Sequence, residues 1–504
     1  MSNKIGIYIA AVVMLILTLD IGYFVERQEF THLIVAYLLL FVAYIFILKQ
    51  DLPQPKEGLQ NLLNFKNLVN LKSLSPLLST FHFSLFTALI LRGVLVFSTP
   101  NLSEDIYRFI WDGRLIHLGI NPFNYKPAYF IDNQLFSETL TPQLYQLLNS
   151  KNYFSVYPPV CQAVFAIAVW LFPTSLFGSM VIIKGFLFLC EIGTIYLMLK
   201  MLKDKTKVLL YALNPLIIIE LCGNAHFEAA MIFFFLLAIY ILKPLVAANL
   251  FAGAHPVNKF AATKGLTLST CFFALSVASK MLPLMFLPFF IKRLGMKKSI
   301  LYFILVGLFS LILFSPLYND LFINNIRSSL NLYFQKFEFN ASVYYVYSTI
   351  EIGRWGFNPI LNISKVLIGV VLISIILLAI LEKFPKSETR NLKFTEGGYD
   401  VHFSENFFEK CLFAISIYFL CAATVHPWYA ALPFAISVFT RFRYILVWTC
   451  LLPFTYIHYS YPTPTENFWV IGVEYGVVIG FFIFEMVKIQ PFDNLGTDPY
   501  FYKK

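Results

Sequence analysis

Residues 103–114 read Ser103-Glu104-Asp105-Ile106-Tyr107-Arg108-Phe109-Ile110-Trp111-Asp112-Gly113-Arg114. Three acids, two arginines and three aromatics stand together here, in a 504-residue chain of which only 13% is charged. The stretch begins just past a long apolar run and opens a polar region that reaches to about Tyr157. Charge of that density at the mouth of an apolar run has to be explained by where the run delivers it.

The chain around it is 58% hydrophobic and 18% aromatic, with a mean hydropathy of +0.70. Soluble domains carry roughly 25% charged residues. Apolar runs of about 17–25 residues, enough to cross the hydrocarbon core as helix, recur from end to end and predict an all-α polytopic membrane protein of about 12–14 transmembrane segments. The net charge of +10 comes from lysines in short loops between those runs. That is the pattern of cytoplasmic loops rather than of a nucleic-acid surface. Seven cysteines are scattered without a CxxC pair, which argues against a disulfide framework or a zinc site and for small core residues. The N-terminal run lacks a small-residue cleavage site and reads as an uncleaved first span.

In chain order, spans 5–25 and 31–48 are joined by Glu26-Arg27-Gln28-Glu29, and 49–78 reads as a cytoplasmic amphipathic helix on the membrane surface. These form an N-terminal unit, 1–78. A third span, 79–98, opens a catalytic membrane domain over 79–435. With the N-terminus inside, its loop 99–157 emerges on the outer face. The runs 158–173 and 178–199 are followed by Lys200, Lys203, Lys205 and Lys207. If both runs crossed fully, these lysines would lie outside, against the positive-inside tendency. The run 266–291, followed by Lys292, Arg293, Lys297 and Lys298, raises the same conflict. An incomplete crossing, or two short helices hinged near Lys280–Pro283, removes it, and broken helices are tolerated where they line a polar cavity. Loops 243–265 and 382–407 fall inside, and 436–504 supplies C-terminal spans and a cytoplasmic tail.

On this assignment Glu104, Asp105, Arg108, Asp112, His226, Glu228, Lys280, Arg354 and His426 all fall on or near one side. An ionisable group at membrane depth costs roughly 2.5–3.5 kcal/mol even on the lenient insertion scale, so several together imply a polar cavity and a charged substrate. No P-loop, GxGxxG, HExxH, GxSxG or EF-hand pattern occurs in a supporting context. His226-Phe227-Glu228 matches the H-x-E of zinc deaminases, but no PCxxC follows it. No loop is large enough for a nucleotide-binding domain, so the substrate is expected to arrive within the bilayer.

A lipid-phosphate sugar donor suits these groups. Its phosphate is already a workable leaving group, and Lys280 or Arg354 could neutralise the departing charge. A carboxylate must take the proton of the acceptor hydroxyl, as in an inverting glycosidase with a sugar hydroxyl in place of water. Asp105 is placed for this, with Glu104 as the neighbour whose charge raises its basicity, and with Glu104 and Asp112 as its competitors for the role. Trp111 is read as a sugar-stacking face or an interfacial anchor. His226 and His426 are read as donor-phosphate or acceptor ligands, or as packed histidines. Tyr157 precedes Pro158-Pro159 and either lines the site or caps the incoming helix. Arg108 and Arg114 could instead pair with Asp105 and Asp112 at helical spacing.

Residues 103–127, SEDIYRFIWDGRLIHLGINPFNYKP, resemble the first outer loop of GT-C fold integral membrane glycosyltransferases. The nearest group is the bacterial polyprenyl-phosphate-mannose-dependent mannosyltransferases. Tyr157-Pro158-Pro159, Asn214-Pro215 through Glu220 to Gly223-Asn224-Ala225-His226, Ser279-Lys280-Met281-Leu282-Pro283 and His426-Pro427-Trp428 follow in the family's order. The resemblance covers roughly 80–435. It implies transfer of a sugar, mannose by expectation, from a polyprenyl-phosphate carrier to an acceptor hydroxyl of a glycan or lipid-linked acceptor. It also implies an acidic catalytic base in the first outer loop, here Asp105, a plasma-membrane location with the active site facing outward, and no required cofactor. The chain departs from the family at Glu228, where relatives carry Asp, which leaves its role between acceptor contact and structure. A divalent ion on Glu104 and Asp105 stays open, as do two other classes, a flippase of lipid-linked sugars and a membrane glycan polymerase or ligase. Internal repeats of the kind transporters show are absent from the sequence.

Overall fold

The computed structural model describes residues 2–51, 80–250, 259–335, 337–381, 394–395, 398–399 and 405–493. The surface helix expected over 49–78 falls almost wholly outside these residues, as do most of the 382–407 loop and the end of the tail. The chain is an all-α polytopic membrane protein. Its described β-structure is a two-residue antiparallel pair, Phe394–Thr395 against Gly398–Tyr399, and one isolated bridge.

Seven helices among the described residues are long and apolar enough to cross a membrane: Lys4–Tyr23, Phe30–Asp51, Leu176–Met201, Glu228–Leu245, Met296–Leu317, Ile360–Ile380 and Phe468–Lys488. A bent pair, Lys205–Ala212 and Pro215–Gly223, turned by 56° at its break, has the apolar length of an eighth span or of a re-entrant loop. The remaining expected segments are shorter pieces, which include Thr80–Leu95, Glu405–Cys421, Ala431–Ser437 and Tyr444–Leu451.

Contacts sort the loops into two ends. Arg27, between the first two helices, pairs with Glu104 at 2.6 Å, so both loops share one end. Asn121 and Asn319 tie 317–319 to the same end: the Asn121 amide donates to the Leu317 carbonyl at 2.6 Å and that of Asn319 to Asn124 at 2.7 Å. At the opposite end Arg441 pairs with Glu409 at 3.1 Å, and the backbone N–H of Arg443 donates to Glu485. The Lys292 amine there reaches the Ile380 carbonyl at 3.3 Å.

Both parity conflicts resolve structurally. Helix Pro159–Leu171 has 13 residues; at 1.5 Å per residue it is about 20 Å long, too short for a core of roughly 30 Å. It lies instead along helix Asp105–His117, with Phe109 stacked on Phe165 at 4.5 Å. Gly113 permits that approach, since a Cβ there would meet the Phe165 carbonyl oxygen at 2.5 Å. Helix Leu176–Met201 then makes the full crossing towards Lys203–Lys207. The second conflict ends at Ser279, where helix Lys259–Ser279 stops and a 3-10 helix, Leu282–Phe290, turns back. Pro283 and Pro288 disfavour α-helix there. The expected hinge near Lys280–Pro283 is therefore present.

The breaks have to be satisfied internally, because the bilayer offers no donors. In an unbroken helix the Tyr211 carbonyl would accept from residue 215, but Pro215 has no N–H. The Tyr211 carbonyl accepts from the Asn214 N–H at 3.3 Å instead, and Arg92 adds a donor at the break: its guanidinium donates to the Ala212 carbonyl and lies 3.5 Å from that of Tyr211. Its Nε donates to Glu191 at 3.0 Å, and the Tyr211 hydroxyl donates to the other Glu191 oxygen at 2.7 Å. Arg92 and Glu191 are both fully buried. Removing one partner of such a pair costs roughly 3–5 kcal/mol, because the other charge stays buried alone. Arg92→Met or Glu191→Gln should accordingly lower the melting temperature of the detergent-solubilised protein sharply. The double variant should melt above Arg92→Met alone, and equal melting of all three with wild type would refute the clamp.

Candidate active site

The site is built where the broken passes meet the Asp105 end. Asp105 is the first residue of helix Asp105–His117 and is half-buried. The Asn149 amide donates to its Oδ1 at 2.9 Å, which leaves the other oxygen uncommitted in this geometry. Glu104, just before it and 41% exposed, is held by Arg27, whose guanidinium also lies 4.5 Å over the Tyr459 ring.

Facing it, the Lys280 amine sits at the hinge after Ser279, pairs with Glu228 and lies 4.2 Å over the Tyr429 ring. Lys280 remains 31% exposed whereas Glu228 is 2%. Tyr429 connects the two halves. Burial raises its phenol pKa most, followed by the charges of Glu228 and, at longer reach, Asp105, with a contribution from Tyr418. Tyr459 is pushed up to about 12, chiefly by burial and also by Asp105 and Glu104, against the lowering effect of Arg27. Asp105 thus sits within electrostatic reach of both tyrosines, one of which lies under Lys280 and the other under Arg27.

The two expected histidines form a stack with Trp428. The His226 ring is 3.8 Å and the His426 ring 4.4 Å from that indole, and Phe339 closes the stack 4.7 Å from His426. Phe339 is brought there by a bridge to Thr424: its N–H donates to the Ala423 carbonyl, and the Val425 N–H donates back at 2.8 Å. Tyr157 is half-buried, edge-on to Phe109 at 4.8 Å, beside the start of helix Pro159–Leu171. Cys161 in that helix donates to the Ser279 carbonyl at 3.4 Å, which ties Tyr157-Pro158-Pro159 to the Lys280 hinge. Asp105, Glu104, Tyr157, His226, Glu228, Lys280 and His426 are all at this end.

The remaining expected residues do other work. Arg108 pairs with Asp112 at 2.7 Å and donates to the Ser150 and Tyr153 carbonyls, and Asp112 also accepts from Ser155 and Gln162. Both are buried, so they fasten the long loop to its helix instead of meeting substrate. Trp111 is fully buried beside Phe130 and Tyr145, so protein covers its ring and no sugar can stack on it. Arg354 is 67% exposed and pairs with Glu351 on its own helix; no described contact joins it to the cluster.

Three residues were not singled out from the sequence as site residues. Glu220, in the π-helical turn Ile218–Gly223, is buried and accepts from the Tyr456 hydroxyl at 2.8 Å and the Asn224 amide at 3.1 Å, with His226 Nε2 3.5 Å away. The side-chain Oδ1 of Asn224 in turn accepts from the Leu102 N–H at 3.3 Å. Glu220 therefore sets both His226 and the entry to the Asp105 helix. Its one signal was an acid inside an apolar run. Arg27 and Tyr429 complete the set. Among the described residues no three His, Cys, Asp or Glu side chains are grouped to hold a metal ion.

His426 has a pKa lowered from 6.5 to about 3, by burial first and then by His226, Lys280 and His458. At neutral pH it is an uncharged hydrogen-bonding group, not a cation for a phosphate. The unfolded chain takes up a proton near 6.5 that the folded chain refuses until about 3, so this group's stabilisation is complete above pH 6.5 and lost as pH falls towards 3. Thermal melts of wild type and His426→Phe should diverge across that window, wild type losing more stability on acidification; parallel curves would remove the assignment.

No curated protein and no solved structure matches the chain. Residues 84–295 match the family described as alpha-(1->6)-mannopyranosyltransferase, N-terminal domain. This segment, under half of the 504 residues, carries the Asp105 helix, the Glu220 turn, Glu228 and the Lys280 hinge, and the match supports a membrane glycosyltransferase of the mannosyltransferase type.

Proposed function

We propose that the enzyme transfers mannose from a polyprenyl-phosphate carrier to an acceptor hydroxyl, with inversion and with Asp105 as general base. The observation that carries this reading is the juxtaposition of a half-buried carboxylate, Asp105, and a partly open ammonium, Lys280, around Tyr429 at one end of a membrane bundle. The acceptor oxygen attacks the anomeric carbon while the free oxygen of Asp105 takes its proton. The bond from that carbon to the phosphate oxygen breaks, and polyprenyl phosphate leaves with its charge met by Lys280. A product with the alpha linkage named for the matching family requires, under inversion, a beta-linked donor. Glu228 then serves to hold Lys280 over Tyr429, which accounts for a carboxylate at that position without an acceptor contact. His426 supplies an uncharged ring at neutral pH, and both histidines supply ring faces in the stack with Trp428. The opposite end carries Lys200, Lys203, Lys205, Lys207, Arg441 and Arg443, so the positive-inside tendency supports an extracytoplasmic site in a plasma membrane.

With purified protein and a labelled polyprenyl-phosphate mannose, Asp105→Asn should cut turnover by about 10²–10⁴-fold while donor affinity is kept; undiminished turnover would eliminate Asp105 as the base. Lys280→Gln made together with Glu228→Gln leaves neither charge buried alone. This pair should weaken donor binding about tenfold or more, the scale of one charged hydrogen bond. An unchanged donor Kd would place the phosphate elsewhere.

A further inference from the structure

A groove of about 340 Å³ opens at the Asp105 end, lined by Gln28, Glu29, Thr31 and His32 on one wall and by Ile457, Ser460 and Tyr461 on the other, with Phe30 at its base. That volume is at the lower end of the range for small-molecule sites. The groove is open and lies outside the family-matching segment, on the N-terminal hairpin and the turn after the 3-10 helix Leu452–Tyr459. One layer of side chains separates it from the base. Arg27, next to Gln28 in sequence, pairs with Glu104 and covers Tyr459, which precedes Ser460.

We propose that this groove holds the sugar residues behind the reacting hydroxyl of a neutral oligosaccharide acceptor; the inference rests on the mannosyl-transfer reading above. The wall chemistry is what a neutral sugar needs. Tyr461 is 41% exposed and offers a ring face. Gln28, Thr31 and Ser460 present exposed amide and hydroxyl groups. Two carboxylates stand close by: Glu29 caps the hairpin through the Glu26 N–H at 3.3 Å, and Asp20 holds His32 at 2.8 Å. Acids and neutral donors without an uncommitted cation suit hydroxyls and disfavour an anionic glycan. The groove also stands at the water-facing end of the bundle, where a glycan chain, unlike a lipid tail, can lie. A chain seated there would run past Arg27 and Tyr459 towards Asp105, its terminal hydroxyl foremost.

The test is equilibrium binding of fluorescently labelled α-1,6-mannotriose to the full-length protein in detergent, without donor. Wild type should bind saturably, and Tyr461→Ala should raise Kd about tenfold, as loss of an aromatic face does. Thr31→Trp, which fills the groove from the exposed start of helix Phe30–Asp51, should abolish binding at an unchanged melting temperature. Asp105→Asn should bind the trisaccharide as wild type does. No saturable binding to wild type, or the same Kd in both groove variants, would overturn the proposal. Because no transfer is read, loss of the Asp105 assignment in the turnover assay leaves this result independent.

Discussion

The ion pair of Lys280 with Glu228 is the constraint on which the rest of the site depends. Lys280 stands where a membrane helix stops at Ser279, and Glu228 opens the helix that packs against it. A lysine at that depth is costly unless it is paired or reaches water, and here it does both. The carboxylate is buried and the ammonium is partly open, so the charge of the pair that remains accessible is positive. Tyr429 beneath the ammonium fixes its direction. Exchange of the two burials would present a negative wall beside Asp105 and repel a phosphate.

Other broken passes follow the same physics with different partners. Arg92 serves the carbonyls freed before Pro215, and Glu191 keeps Arg92 in place. Glu220 serves the π-helical turn that follows, and through Asn224 reaches the Leu102 N–H. At the first break Arg92 meets a freed carbonyl directly, whereas Glu220 and Lys280 hold side chains in place around theirs. The irregular backbone is what brings His226, Lys280 and Asp105 to one level, since uninterrupted helices would carry those residues past one another.

Much of this was legible in the chain because ionisable residues inside apolar runs have few alternative uses. Lys280 stood out for that reason, Glu228, His226 and His426 because they fall at the same outer face, and the lysine-rich loops called for an incomplete crossing or a hinge before any coordinates. Arg108, Asp112 and Trp111 misled for a physical reason too: charges four residues apart on a helix satisfy each other, so density of charge marked a loop anchor as much as a site. Arg354 lies in a semi-polar segment where an exposed pair with Glu351 costs little. Glu220 was harder to see, because its partners Tyr456, Asn224 and His226 come from distant or irregular segments that no spacing rule links. Arg27 depended on a contact across 77 positions.

That long contact bears on how the N-terminal hairpin relates to the enzyme. The family-matching segment supplies Asp105, Lys280 and Glu228, yet Glu104 is oriented by Arg27 from outside it, and Tyr459 and Tyr429 come from beyond its other boundary. An exposed Arg–Glu pair alone contributes little, typically under about 1 kcal/mol. The stacking of the same guanidinium on Tyr459 adds a second hold, and the packing of the first two helices fixes where Arg27 can be. The hairpin therefore forms a wall beside Glu104 and the start of the Asp105 helix, so residues from outside the family-matching segment shape this end of the molecule.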